Sequence, residues 1–264
     1  MTIVTPQSVS GDAVLVTVDA TQGSVPRERG AWMLVFAHEA EGTIGGGHLE
    51  LDAIAHARRL LAREAGETRL RRALGPSLGQ CCGGVVELSF ERVATGDLAA
   101  LRSRLAPALA PLALFGGGHV GRAIVDAVSL LPFAIRWIDS RDEIFPQALS
   151  AHVTCEHSDP VEGAVADLVP GSCVLVMSFS HAEDLGIVAA CLQRLRERDD
   201  LPFVGLIGSA TKWATFGARL RGRGFGDDEL ARITCPIGIE GIRGKEPAVI
   251  AAAVAAQLLQ RLGR

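Results

Sequence analysis

Apolar and polar positions follow different periods in the two halves of the chain. In the N-terminal half, apolar runs rich in β-branched residues predict strands at Ala13–Ala20, Ala31–Ala37, Thr68–Leu74 and Val85–Val93. Helical spacing of apolar residues predicts one helix from His48 to Gly66 and another over about Asp97–Leu105. Strands and helices that do not alternate regularly predict an α+β domain.

The C-terminal half alternates apolar strand patterns with helical ones. Strands are predicted at Leu112–Phe115, Ala134–Asp139, His152–Cys155, Val174–Ser178, Phe203–Ile207 and Arg232–Thr234, and helices at His119–Leu131, Glu183–Arg198, Thr211–Arg221 and Glu246–Leu262. Such alternation predicts an α/β fold, a Rossmann-like, doubly wound parallel sheet with helices on both faces. Because the Pro-punctuated segment Ala106–Pro111 lies between the two patterns, we expect domains at residues 1–106 and 111–264.

Composition narrows the class of protein. The 264 residues are 48% hydrophobic and 21% charged with a net charge of −4, so a folded core is expected and nucleic acid is not an expected partner. No charged-then-apolar signal region opens the chain, and the apolar runs are shorter than the about 18 residues of a membrane span. The six cysteines form no CxxC pair. We therefore expect a cytoplasmic protein that does not bind membranes.

A glycine-rich loop follows the first strand of the C-terminal half. Gly116, Gly118 and Gly121 form G-x-G-x-x-G at the start of a predicted helix, and Asp139 ends the next strand. This pattern is typical of dinucleotide sites, where glycines let the backbone approach a pyrophosphate and the acidic residue binds a ribose. The same glycines also serve helix–strand packing alone, and Arg141 beside Asp139 leaves the choice between NAD and NADP open.

Two further strand ends carry polar residues, where ligands bind in such sheets. Ser178-Phe179-Ser180-His181, with Asp184 shortly after it, follows one strand, and Gly208-Ser209 follows another. His181 is either a base, a ligand to a metal-bearing cofactor, or an incidental residue of a helix-capping loop; spacing alone does not choose among these.

Two glycine-rich segments stand out in the N-terminal half. In the first, Gly45–Gly47 opens a helix that begins with His48 and Glu50, so its backbone N–H groups are placed to bind an anion. The second is Gly79–Gly84, which contains the adjacent Cys81 and Cys82. Adjacent cysteines do not easily share one tetrahedral ion, so zinc is not expected. The segment is either an accessible thiol site or a glycine-rich hairpin with half-buried cysteines.

Together these segments resemble the XdhC/CoxI family, and within it the XdhC type. The matching pieces are, in chain order, Thr21–Arg27, Gly42–Glu50, Gly79–Gly84, Gly116–Gly121, Ser180–His181, Gly208–Ser209 and Pro236–Ile239 with the helix start at Glu246–Ala252. Because they run through nearly the whole chain in order, the set is far more specific than any one motif. The loop containing Glu240 and the following GIRGK departs from the commonest family form.

The resemblance implies an N-terminal XdhC/CoxI-type domain followed by a Rossmann domain, in a bacterial accessory protein of xanthine dehydrogenase. Such a protein is a chaperone for the molybdenum cofactor (molybdopterin): it holds the cofactor during sulfuration and delivers it to apo xanthine dehydrogenase. A cysteine desulfurase is the second implied partner, and a homodimer the implied assembly.

The expected site follows from the resemblance together with the residue chemistry. The cofactor-binding residues are Gly46, Gly47, His48, Glu50, Cys81, Cys82, Gly83, Gly84, Gly116, Gly118, Gly121, Asp139, His181, Gly208 and Ser209. Because thiolates suit soft or borderline metal centres, Cys82 is the expected contact to molybdenum. No catalytic residues are expected in a cofactor carrier.

An alternative of another class remains open. An NAD(P)-dependent oxidoreductase would use the Rossmann half for the nicotinamide cofactor and His181 as acid or base. No segment outside the glycine loop is typical of a substrate domain for hydride transfer, which favours the chaperone. A third alternative is a two-domain scaffold whose loops only pack.

Overall fold

The structure is a computed structural model that describes residues 11–75 and 83–263. The chain divides into two compact units, Met1–Ala106 and Pro107–Arg264, each with its own sheet.

The N-terminal unit is built on an antiparallel sheet. Its elements are β1 Ala13–Gln22, β2 Trp32–Val35, β3 Ala40–Gly42, α1 Gly47–Leu61, β4 Arg69–Ala73, β5 Val85–Val93 and α2 Leu98–Leu105. Within the described residues the strand order is β3-β2-β1-β5-β4, with every pairing antiparallel.

Alternation along β1 divides the core of this unit between the two faces of the sheet. Val14, Val16 and Val18 pack with Leu49, Ala53 and Ala57 of α1. Ala13 and Leu15 face the other way and pack with Leu98 and Leu101 of α2. The period of two along the strand therefore accounts for one helix on each face.

The C-terminal unit is a parallel sheet with connecting helices. Its elements are β6 Ala110–Phe115, α3 His119–Val128, β7 Phe133–Asp139, β8 Val153–His157, β9 Cys173–Val176, α4 His181–Arg198, β10 Phe203–Leu206, α5 Ala210–Arg221, α6 Asp227–Leu230, β11 Ile233–Thr234 and α7 Pro247–Arg261. The strand order over the described part of the chain is β11-β10-β9-β6-β7-β8, all parallel.

This order is that of a Rossmann fold, in which the chain first winds to one side and then returns to the centre. The winding direction reverses between β6 and β9, which pair directly. In open α/β sheets, ligands bind beyond the carboxyl ends of the strands at this reversal. The residues that follow β6 and β9 therefore mark the switch point of this unit.

Both faces of the parallel sheet are covered by apolar helices. Ala113 and Phe115 of β6 lie in one cluster with Leu185 and Val188 of α4. Leu112 and Leu114 lie in the other, which includes Ile124 of α3 and Val254 and Leu258 of α7. The predicted fold class, an α+β unit followed by a Rossmann-like unit with helices on both faces, is confirmed.

Element boundaries differ from the sequence prediction in several places. Strand β3 was not predicted, because Ala40–Gly42 is short and partly exposed. Strand β6 begins at Ala110, inside the predicted linker. Pro111 is tolerated there because this end pairs only with β7, while pairing to β9 begins at Leu112. Helix α4 begins at His181, two residues earlier than predicted, because Ser180 caps it.

No helix in the described ranges is long and apolar enough to cross a membrane.

Candidate functional site

The glycine loop after β6 forms the centre of the switch point. Gly116 has φ +126°, and a Cβ there would overlap the carbonyl oxygen of Met177 after β9. A Cβ on Gly121 would in turn overlap the carbonyl oxygen of Gly116. Both glycines are therefore required by close backbone packing, whether or not a ligand is bound. At Gly118, the N-cap of α3, an added Cβ would have no atom of the described residues within 4 Å.

Asp139, at the end of β7, is turned inward and ties the neighbouring loops together. Its carboxylate is 1% exposed. Oδ2 accepts from the Gly117 N–H at 2.6 Å and from Arg141 Nη2 at 2.9 Å. Oδ1 accepts from the Arg141 N–H at 2.9 Å and from Arg141 Nε at 2.8 Å. These four hydrogen bonds use the whole acceptor capacity of a carboxylate.

The balance of forces on Asp139 keeps it ionised. Burial pushes its pKa upward, but the hydrogen bonds and charge of Arg141 and the Gly117 N–H outweigh burial, so the pKa lies below its ordinary value. The same pair raises the pKa of Arg141. A ribose hydroxyl could reach this carboxylate only by displacing one of its present donors, which weakens the case for an NAD site.

A second buried carboxylate, Asp184, lies beside the end of β9. Its Oδ1 accepts from both the N–H and the hydroxyl of Ser178 at 2.8 Å. Its Oδ2 accepts from Lys212 Nζ at 2.6 Å, and Nζ also donates to the Ile207 carbonyl at 2.8 Å. Asp184 thus joins the loop after β9 to the loop after β10.

His181 is the first residue of α4 and is exposed. Its ring lies edge-on to Phe216 of α5, with the centroids 6.1 Å apart. Ser180 before it accepts from the Glu183 N–H at 3.2 Å. The structure therefore places His181 on a capped helix start at the carboxyl edge of the sheet, open to solvent.

Gly208 and Ser209 follow β10 at the same edge. Ser209 caps α5 by accepting from the Lys212 N–H at 3.2 Å. A Cβ on Gly208 would come within 2.8 Å of Lys212 Cδ and 3.2 Å of Cys235 Sγ. Burial raises the pKa of the Cys235 thiol, with the charges of Lys212 and Asp184 acting in opposite directions. This thiol is therefore protonated near neutral pH.

In the N-terminal unit, the carboxylate of Glu50 organises the glycine segment before α1. Its buried Oε2 accepts from the Thr43 hydroxyl and from the N–H groups of Ile44 and Gly46, both at 3.1 Å. Glu50 therefore supplies, from within the chain, part of the negative charge that a helix N-terminus attracts. Gly47 and His48 begin the helix and are exposed.

Three motif segments of this unit meet in what we term the N-terminal loop cluster, residues 22–27, 43–48 and 83–84. Gly45 packs so closely on Pro26 that a Cβ would lie 2.6 Å from the proline ring. Gly84 donates its N–H to the Ser24 carbonyl at 3.0 Å. Among the described residues, no atom lies within 4 Å of a Cβ placed on Gly83.

The structure therefore assembles the predicted site residues into two groups. The first group comprises Gly46, Gly47, His48, Gly83 and Gly84 of the N-terminal loop cluster, together with Glu50, which is hydrogen-bonded to that cluster. The second group lies along the carboxyl edge of the parallel sheet and comprises Gly116, Gly118, Gly121, Asp139, His181, Gly208 and Ser209. Cys81 and Cys82 lie outside the described residues. In the ranges 11–75 and 83–263, no group of three or more His, Cys, Asp or Glu side chains could hold a metal ion.

Sequence reasoning assigned no site role to Lys212 at the carboxyl edge, and it considered Arg141 only for the choice between NAD and NADP. One available signal was composition, because Lys212 is one of two lysines in a chain rich in arginine. Phe179 belongs to the strand end Ser178–His181 that the sequence predicts to face a ligand, but no signal in the sequence indicated a role for its ring.

Comparison with known proteins fits this arrangement. The family model described as the XdhC Rossmann domain matches residues 112–258, and that of the XdhC and CoxI family matches residues 9–73. The chain belongs to the XdhC family. The resemblance drawn from the motifs is thereby confirmed.

Individual relatives of this XdhC-family chain share 30% or less of its sequence in the matches described next. The uncharacterized protein YqeB of Escherichia coli strain K12 is 30% identical over 247 residues, which are 91% of this chain and 42% of YqeB. The chain thus spans less than half the length of this curated relative. A Bacillus halodurans crystal structure described as a xanthine dehydrogenase superposes with a TM-score of 0.80 at 18% identity. It covers 98% of this chain and 94% of that one, and at this identity the match shows the fold alone.

Proposed function

We propose that this XdhC-family chain is an accessory protein that carries the molybdenum cofactor as cargo. In this role it binds the cofactor, protects it during sulfuration and delivers it to apo xanthine dehydrogenase. A cysteine desulfurase is the proposed sulfur source, the homodimer the proposed assembly and the cytoplasm the proposed location. The observation that carries the proposal is membership of the XdhC family through both halves of the chain.

The geometry of the N-terminal loop cluster supports a binding role. Glu50 holds the 43–46 loop through three hydrogen bonds, so the cluster is ordered before any cargo arrives. Among the described residues no atom lies within 4 Å of a Cβ placed on Gly83, so the described part of the cluster has an uncrowded side. A preorganised loop with an open side lowers the conformational cost of binding.

The cysteine pair gives the sharpest test. We expect replacement of both Cys81 and Cys82 by Ser to lower the molybdenum bound per chain, since soft thiolates suit this metal centre. The protein is purified from cells that make the cofactor. Molybdenum is measured by mass spectrometry, and activation of apo xanthine dehydrogenase is assayed in parallel. Cys155→Ser, an exposed thiol in the other unit, is the matched control and should load as the parent does.

The single variants refine the assignment. We expect only one of the two cysteines to carry the effect, and we expect it to be Cys82, which precedes Gly83 and Gly84 in the sequence. Full molybdenum loading by the double variant together with a large loss of stability would show that the pair serves packing. A parent protein that neither carries molybdenum nor activates the apoenzyme would remove the proposal altogether.

The second candidate is an NAD(P)-dependent oxidoreductase, favoured by the glycine loop followed by a helix and by Asp139. The occupied acceptors of Asp139 count against it. Titration of the purified protein with NADH and NADPH, followed by nucleotide fluorescence, tests it directly. Saturable binding accompanied by turnover of a carbonyl substrate would favour the oxidoreductase.

A further inference from the structure

A solvent-exposed aromatic ring stands at the switch point. Phe179, in the loop between β9 and α4, is 66% exposed. The other exposed large apolar side chains among the described residues are aliphatic: Leu51, Leu130, Leu149, Val169 and Ile242. This exposed phenyl ring lies at the place where Rossmann folds bind ligands, so it is positioned to contact one.

Arg141 covers one face of this ring. Its guanidinium carbon lies 4.5 Å from the ring centroid, within the range of a cation–π contact. Since the ring is nevertheless mostly exposed, its other face is open to solvent. The pair therefore presents a flat aromatic surface with a cation behind it.

Hydrogen bonds hold both members of the pair in place. Arg141 is fixed by its two-pronged bond to the buried Asp139. The backbone of Phe179 is fixed by its N–H, which donates to Glu183 Oε2 at 3.2 Å. Glu183 Oε1 in turn accepts from the Ser140 hydroxyl at 2.9 Å. The surface is thus preorganised, and a flat ligand would lose little free energy in ordering it.

The surface also adjoins the glycine loop. The Met177 N–H donates to the Phe115 carbonyl at 2.8 Å, and Gly116 packs against Met177, so the loops after β6 and β9 run side by side. Asp139 further ties Arg141 to Gly117. A ligand stacked on Phe179 would therefore lie on the side of the sheet edge where the glycine loop is located.

We propose that Phe179 and Arg141 form a stacking platform for a planar heteroaromatic ring, either a pterin or a nucleobase. Stacking on an aromatic side chain recognises the π-face that both ring types share, and an arginine behind the ring adds a favourable electrostatic contribution. A pterin as the occupant rests on the proposed function, because the cargo proposed above carries one.

The probes are 6-carboxypterin and GMP, titrated against the full chain by isothermal calorimetry, with quenching of pterin fluorescence as a second readout. We expect Phe179→Ala to weaken binding about tenfold, while Phe179→Trp keeps it within about twofold, since indole also stacks. Leu130→Ala, which alters an exposed apolar side chain just beyond the C-terminal end of α3, is the control and should bind as the parent does. Circular dichroism checks that each variant is folded.

The outcomes distinguish a failure of the proposed stacking platform from a failure of the proposed cofactor-carrier function. Equal affinity of the parent and Phe179→Ala for both probes, or no binding of either probe at millimolar concentration, overturns the platform. Phe179-dependent binding supports it, and competition between the probes tells whether a pterin or a nucleobase is preferred. Molybdenum loading is measured on the same variants. Phe179-dependent binding of GMP by a chain that carries no molybdenum would support the platform while contradicting the proposed function.

Discussion

Lys212 and Asp184 form a buried ion pair between two loops at the carboxyl edge of the parallel sheet. The ammonium nitrogen lies 2.6 Å from the carboxylate oxygen, and the side chains are 12% and 3% exposed. The second acceptor of the ammonium is the Ile207 carbonyl, and the second oxygen of Asp184 is bound to Ser178. The pair therefore connects the segments that carry His181 and Ser209, two of the candidate site residues.

Replacing Lys212 with Met should destabilise the C-terminal unit by about 3–5 kcal/mol, because it leaves an uncompensated buried carboxylate. Urea unfolding followed by circular dichroism measures the loss. The double variant Lys212→Met with Asp184→Asn should recover part of it. Arg221→Met, which breaks an exposed ion pair with Asp227 on the same unit, should change stability little. Equal effects of the two single variants would contradict the assignment of Lys212 to a buried pair.

Gly121→Ala should destabilise the C-terminal unit by about 2–3 kcal/mol or more, because the added methyl would overlap the Gly116 carbonyl, a backbone atom that cannot rotate away. Gly118→Ala is the matched control in the same loop, since its Cβ would enter open space at a negative φ. Thermal unfolding of both variants provides the comparison. If Gly121→Ala had the same melting temperature as the parent, α3 would not pack on β6 as described.

Asp139→Asn should cost stability at neutral pH and much less in acid. The folded-state pKa of Asp139 lies below its unfolded value, so the stability it contributes is complete above the unfolded pKa. It is lost as the pH falls through the folded pKa, in the range below about pH 4. Unfolding free energies of parent and variant at a series of pH values should therefore converge at low pH. A difference that stays constant with pH would contradict the ionised, hydrogen-bonded state.

Glu50→Ala should destabilise the N-terminal unit by about 1–3 kcal/mol, because it removes the acceptor of the Ile44 and Gly46 N–H groups. Glu50→Gln keeps an acceptor oxygen and should lose less. Asp52→Ala, on an exposed position of the same helix, serves as the control. Hydrogen exchange of the 43–50 segment gives a local readout, and protection unchanged in Glu50→Ala would argue against this role.

His181→Ala should leave the melting temperature close to that of the parent, since the side chain is exposed and lies on an already capped helix start. If the residue binds cargo, cofactor loading or delivery to apo xanthine dehydrogenase should fall. His152→Ala, an exposed histidine before the amino end of β8, is the control. Delivery equal to that of the parent would show that His181 is only an incidental residue of the helix-capping loop.

Local pattern was sufficient to predict most of the elements and the fold class. The alternation of apolar strands with amphipathic helices after Ala110, and the glycine loop at Gly116–Gly121, depend on residue types and short spacings that act within a few turns of chain. The helix boundaries that differ depend on side chains outside the periodic pattern, as with Ser180 capping α4. Strand β3 is too short for a periodic signal and exists because β2 provides a pairing edge.

The sequence by itself determined which residue types stand at the strand ends, and hence that the chain has the motifs of the XdhC family. The tertiary structure alone decided which groups those residues contact. Asp139 has the position of a ribose-binding residue, yet Arg141 and Gly117 occupy its oxygens. Phe179 is of a residue type that is common in protein cores, yet its side chain is exposed and contacts the guanidinium of Arg141. Partner choice among groups brought together by folding depends on distance and desolvation in three dimensions, and neither can be read from the spacing along the chain.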